Sequence, residues 1–154
     1  MLGIDPGLAN TGWGLVRKDA GTQTCLAYGC ISTSKNEPLE YRLKHIYDQI
    51  LQVCNQYKPA YCGVETVWFG SNVSAGILTS QARGAVLVAL AIFGIKVFEY
   101  SPKQIKLTIA GVGSADKKQI QYMVQKMLNL KCAPSPDHAA DALAAALCVL
   151  SHER

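Results

Sequence analysis

The sequence has no Cys-x-x-Cys pair, no His-x-His and no zinc-finger spacing, so its six cysteines (Cys25, Cys30, Cys54, Cys62, Cys132 and Cys148) do not describe a structural zinc site. They read instead as reduced, semi-buried packing residues. No run approaches the roughly 18 consecutive apolar residues that a membrane span requires. The N-terminus has neither the basic nor the apolar region of a secretory signal. No membrane partner is expected, and the expected location is cytoplasmic. Internal repeats and low-complexity tracts are also missing, and Gly and Pro fall at element ends rather than in linkers. What is present is globular: 154 residues, 49% hydrophobic and 17% charged, enough chain to bury a core without disulfides. A single domain over residues 1–154 is expected.

Charge is scarce and unevenly placed. The net value is +4, yet between Ser101 and Lys131 six lysines (Lys103, Lys106, Lys117, Lys118, Lys126 and Lys131) stand against one acid, Asp116. That local excess suits a polyanionic partner, and it equally suits a solvated helix face.

The first third reads as strands: Met1–Asp5 closed by Pro6-Gly7, Thr11–Arg17, and Cys25–Thr33 after a turn at Lys18–Gly21. From Pro38 to Tyr57 the apolar residues Leu39, Leu43, Ile46, Ile50 and Tyr57 recur at helical spacing. Tyr61–Val67 reads as a buried strand, Asn72–Phe93 as a more apolar helix, and Lys96–Tyr100 as a further strand. Ser101-Pro102 starts a short helix ending near Gly111, Ser114 or Asp116 opens another to Leu130, and the last runs from about Ser135-Pro136 to Leu150. The order β-β-β-α-β-α-β-α-α-α predicts an α/β fold, a mixed five-stranded sheet flanked by helices.

The informative residues are charges in apolar company. Asp5 follows Leu2-Gly3-Ile4, Glu65 sits within Tyr61–Phe69, and Asp141 interrupts an alanine-rich helix apolar on nearly every face. A carboxylate buried ionised and alone costs several kcal/mol, so each must be paired, hydrogen-bonded or metal-bound. His138, three residues before Asp141, shares its helix face. A cation shared by these groups is the economical explanation, and oxygen-rich sites with several carboxylates suit Mg²⁺ or Mn²⁺. Simpler alternatives stand beside it. Asp5 can cap the Pro6-Gly7 turn, Glu65 can pair with a lysine, and His138 can be an ordinary helix-start residue. Asp137 reads as a first-turn acid favoured by the helix dipole.

Several segments resemble the RuvC family of Holliday junction resolvases. Leu2-Gly3-Ile4-Asp5-Pro6-Gly7 is similar to the family's opening motif, and Val64-Glu65 followed by Val67-Trp68-Phe69 and Asn72 to its glutamate segment. Gln81-Ala82-Arg83-Gly84, Gly111–Lys117 and Asp137–Ala144 resemble later motifs in the same order. The resemblance implies a ribonuclease H-like fold and a structure-selective endonuclease that nicks four-way DNA junctions symmetrically. Asp5, Glu65, His138 and Asp141 are then the catalytic metal-site residues, with two Mg²⁺ ions per site and Mn²⁺ as a substitute. Trp68, Phe69, Asn72, Lys106 and Lys117 are the expected DNA contacts. Where this chain has His138 some family members have Asp. A homodimer and a branch-migration motor complex of the RuvA–RuvB type are the implied partners, and the Asn72–Phe93 helix is a candidate dimer face.

Three rivals are weighed against this expectation. An actin- or sugar-kinase-like phosphotransferase shares the Gly-Ile-Asp-x-Gly opening, but such proteins pair two domains around the nucleotide. A related ribonuclease H-like nuclease acting on structured RNA shares it too. A catalytically inactive junction-binding module is disfavoured because all four candidate site residues are retained.

Overall fold

A computed structural model describes residues 1–67 and 72–152. Trp68 and Phe69, expected to stack on bases, lie outside the described residues. The chain order is β1 (Leu2–Asp5), β2 (Asn10–Asp19), β3 (Thr22–Ser32), α1 (Leu39–Tyr57), β4 (Tyr61–Glu65), α2 (Val73–Ile92), β5 (Lys96–Tyr100), α3 (Pro102–Ala110), α4 (Lys117–Met127) and α5 (Asp137–His152). This is the expected order of elements. The five strands form one sheet in the order β3-β2-β1-β4-β5. The pairs β1–β2 and β2–β3 are antiparallel, while β4 lies parallel to both β1 and β5. Hairpins connect the antiparallel strands, and helical crossovers the parallel ones.

Local chemistry sets most boundaries. The β2–β3 hairpin turns on Ala20 (φ 46°) and Gly21 (φ 88°), the positive-φ pair that a tight two-residue hairpin requires. Ser101 caps α3 with Pro102 in the first turn, and Gln104 reaches back to the Ser101 backbone; Asp116 and Gln119 make the same reciprocal cap on α4. Asn72 caps α2 by accepting from the Ala75 N–H at 3.1 Å.

Strand alternation divides the interior in two. Leu2, Ile4, Cys62 and Val64 point to one face and pack against α1 and α2, with Ile46, Ile50, Val86 and Leu90 fully buried there. On the opposite face α3, α4 and α5 cover the sheet, with Val124, Leu143, Leu147 and Leu150 inside. Each such fully buried aliphatic side chain contributes about 1.5–3 kcal/mol relative to exposure. The sheet is thus sandwiched between two helical layers.

By length and composition alone α2 is apolar enough to cross a membrane, with 28% of its most apolar window buried. Thr79, Ser80, Gln81 and Arg83 interrupt it, so it contains no run of about 18 consecutive apolar residues. Ala82, Val86, Ala89 and Leu90 nevertheless join the core shared with α1.

Candidate metal centre and active site

The site is built where two adjacent parallel strands end. In β1, Leu2 and Ile4 face one core, so Gly3 and Asp5 face the α5 side. Ile4 aligns with Val64, which places Glu65, the last residue of β4, next to Asp5. The carboxyl ends of parallel strands are where open α/β sheets place their ligands. The loop after Asp5 is tied down by fully buried Thr11, whose hydroxyl donates to the Gly7 carbonyl at 2.7 Å.

The other half of the site arrives on α5, which packs across β2, β1 and β4. A row of glycines, Gly14, Gly3 and Gly63, runs across these three strands in register. A Cβ on Gly3 would lie 1.9 Å from the Ala142 carbonyl oxygen, one on Gly63 2.5 Å from that of Ala145, and one on Gly12 1.9 Å from that of His138. Such distances mean helix backbone rests on strand backbone, which only glycine permits. Ala139, Ala142, Ala145 and Ala146, all fully buried, keep the helix side of this contact thin. The first turns of α5 are thereby pressed down onto the strand ends.

His138 Nδ1 lies 2.8 Å from Asp5 Oδ2. One donor atom each from Asp5, His138 and Asp141 lie within 4.8 Å of one another. Glu65 flanks this trio. Burial pushes the Glu65 carboxyl up to about 8, with the negative charges of Asp5 and Asp141 and a hydrogen bond to Asp5 acting the same way. Asp141 is also raised, by burial and then by Asp5. The hydrogen bond to Asp5 raises His138. Glu65 and Asp141 thus sit, half-buried or more, beside a further carboxylate, the environment in which those two retain protons unless a cation joins them. Two carboxylates and an imidazole at this separation are a fitting donor set for a divalent ion.

Lys117 brings positive charge directly to the acids. Its Nζ lies 3.5 Å from Asp141 Oδ2 and 3.2 Å from Asp137 Oδ2. Burial works to lower the Lys117 ammonium, but Asp141 and Asp137 outweigh it and leave it raised. Asp141 thus has a lysine partner in space that does not stand beside it in sequence. A charge distant in sequence reaches it because α4 crosses α5.

Two openings meet at the acids. A cavity of about 420 Å³ is lined by Asp5, Glu65, Asn72, Gly76 and Thr79, and a smaller one of about 230 Å³ by Glu65, Lys106, Lys117, Ile120 and Asp141. Asp5, His138 and Asp141 thus converge, with Glu65 beside them. Lys106 and Lys117 share one opening, while Asn72 borders the other and is engaged as a helix cap. The sequence reading missed the pairing of Asp137 with Lys117 and with Gln121, whose Nε2 donates to Asp137 Oδ1 at 2.7 Å. The signal was available in part: Lys117 and Gln121 are four apart on α4, as Asp137 and Asp141 are on α5.

A family model described as "Crossover junction endodeoxyribonuclease RuvC" matches residues 1–149. The chain belongs to the RuvC family. Crossover junction endodeoxyribonuclease RuvC of Treponema pallidum is 49% identical over 147 residues, covering 96% of this chain and 75% of the relative. The RuvC of Thermotoga maritima is 43% identical over 148 residues, covering 96% and 88% respectively. Among solved structures, Thermus thermophilus RuvC in complex with Holliday junction substrate superposes with a TM-score of 0.93 at 38% identity, covering 99% of this chain and 93% of that one. The fold is accordingly ribonuclease H-like, and neither the phosphotransferase nor the RNA-trimming alternative is favoured by these matches.

Proposed function

We propose that this protein is an endonuclease that resolves four-way (Holliday) DNA junctions by symmetric hydrolysis of phosphodiester bonds in two strands. The observation that carries the proposal is the convergence of Asp5, His138 and Asp141, with Glu65 alongside, in a chain of the RuvC family. Asp5 and Asp141 would hold the cation, and His138 would join them through a ring kept in place by Asp5. We infer two Mg²⁺ ions per site, with Mn²⁺ as a substitute, which Asp5, Glu65, His138 and Asp141 would hold together. A divalent ion bound there supplies Lewis-acid polarisation of the phosphate and a water made acidic enough to attack.

The remaining chemistry belongs to the chain itself. Glu65, whose carboxyl holds a proton up to about pH 8 in the metal-free site, becomes a carboxylate when positive charge arrives beside it. It would then join Asp5, His138 and Asp141 in holding the cation. Lys106 and Lys117 line the basic opening and would hold phosphate oxygens, making affinity fall with salt. Trp68 and Phe69 are proposed to stack on bases opened at the branch point. Asn72 borders the adjoining cavity.

The substrate also implies the assembly. Four-way junctions are nearly two-fold symmetric, and a homodimer presents two equivalent sites to them. The exposed apolar residues Val73, Ile77, Val88 and Ile92 of α2 are the proposed dimer face. A cytoplasmic location and delivery by a RuvA–RuvB type motor belong to the same proposal.

Cleavage of a four-way junction, a linear duplex and an RNA–DNA hybrid, compared at one Mg²⁺ and salt concentration, tests the assignment. Paired nicks in the junction, with the other substrates spared, are expected. Glu65→Gln should abolish those nicks while leaving junction binding intact. Preferential hybrid cleavage, or full activity in the Gln variant, would contradict it.

A further inference from the structure

Asp137 stands outside the metal-site donor set but is wired to it. Its two oxygens have different partners: Oδ1 accepts from Gln121 Nε2 at 2.7 Å, and Oδ2 lies 3.2 Å from Lys117 Nζ. The same ammonium lies 3.5 Å from Asp141 Oδ2, so one lysine is shared between an outer and an inner carboxylate. Their settings differ. The Asp137 side chain is 60% exposed and that of Asp141 27%. The four side chains come from two matched helix faces, Lys117 and Gln121 one turn apart on α4, Asp137 and Asp141 one turn apart on α5.

We infer that Asp137 is a positioning residue: it gives the Lys117 ammonium a second, closer anchor at the rim of the metal centre, so that the Asp141 carboxylate can pass from the lysine to a divalent cation. The inference rests on the proposal that Asp5, His138 and Asp141 bind such an ion. A lysine left with Asp141 as its sole carboxylate partner stands in for the metal, because it neutralises a ligand and repels an incoming cation. With Asp137 present the ammonium has a second anchor, itself braced by Gln121. Lys117 can therefore yield Asp141 to the ion without leaving the basic opening it shares with Lys106.

An alternative has Asp137 acting only through its own negative field, which attracts any cation nearby. The two accounts differ in whether Lys117 is needed. The test is a double-mutant cycle read as Mn²⁺ affinity, measured by electron paramagnetic resonance in the absence of DNA, with Asp137→Asn, Lys117→Met and the double variant. Circular dichroism melts establish that each variant is folded. Asp137→Asn is expected to weaken Mn²⁺ binding by roughly threefold to tenfold in the otherwise unchanged protein, a range set by partly exposed charges. It should have no effect in the Lys117→Met background, and Asp137→Glu should restore affinity. Equal weakening in both backgrounds, or none in either, would overturn the inference. Failure of the unmutated protein to bind Mn²⁺ at all would instead remove the metal-site proposal beneath it.

Discussion

The two most apolar helices of the molecule have opposite fates. In α5 every residue from Ala142 to Leu150 is buried, and the helix lies backbone to backbone on a glycine row. In α2 the apolar residues are larger and more branched, and Val73, Ile77, Val88 and Ile92 are more than half exposed. Apolarity alone therefore does not say where a helix goes. Residue size does more: alanine against glycine permits the close approach that brings His138 and Asp141 to Asp5, whereas valine and isoleucine hold a neighbour at ordinary packing distance and leave a face for another surface.

The largest effect should come from spoiling the close approach. A methyl group on Gly3 would sit 1.9 Å from the Ala142 carbonyl oxygen. Gly3→Ala should therefore destabilise the fold by about 3 kcal/mol or more, read as the urea midpoint, because neither backbone has room to yield. An unchanged midpoint would mean that α5 is not pressed onto β1.

A smaller effect should follow from pH. Glu65, Asp141 and His138 are all raised in the folded, metal-free protein. The folded state then holds protons that the unfolded chain releases, so the stability from these groups is fully present below their unfolded pKa values and is lost as pH rises through the folded ones. For Glu65 that window runs from 4.5 to about 8. Thermal melts without metal should show stability falling by a few kcal/mol over this span, at no more than about 1.4 kcal/mol per pH unit for each group. Saturating Mg²⁺ should flatten the slope. A metal-free protein whose stability rises with pH would contradict the crowding of acids.

The smallest effect on folding should come from α2. Val88→Asp and Ile92→Asp change residues that are 56% and 60% exposed, and should alter stability by only about 0.5 kcal/mol. They should nonetheless convert a dimer to a monomer by light scattering and abolish paired nicking. A dimer that survives both would move the interface elsewhere.

Much of this contrast was legible in the sequence. Asp5, Glu65 and Asp141 announced themselves by interrupting apolar runs, the cap at Ser101-Pro102 marked where α3 begins, and of the two candidates Ser114 and Asp116 the second caps α4. The far end of the β2–β3 hairpin was not legible. Arg17, Lys18 and Asp19 pair with Thr24, Gln23 and Thr22 through backbone alone, and an exposed ladder needs no apolar alternation. Nor was the partner of Asp141. Lys117 reaches it only through the crossing of two helices, which periodicity within each cannot reveal. Nor was the glycine row, since only strand register shows Gly14, Gly3 and Gly63 side by side.

The claim at the centre is that α5, seated on that row, completes a divalent-cation site with β1. Mn²⁺ binding to the unmutated protein, compared with Asp5→Asn and Asp141→Asn under conditions where all three are folded, tests it most directly. Each substitution should weaken binding by at least about tenfold, since each removes a ligand from a different half of the site. Wild-type affinity in both variants would show that the ion is held elsewhere.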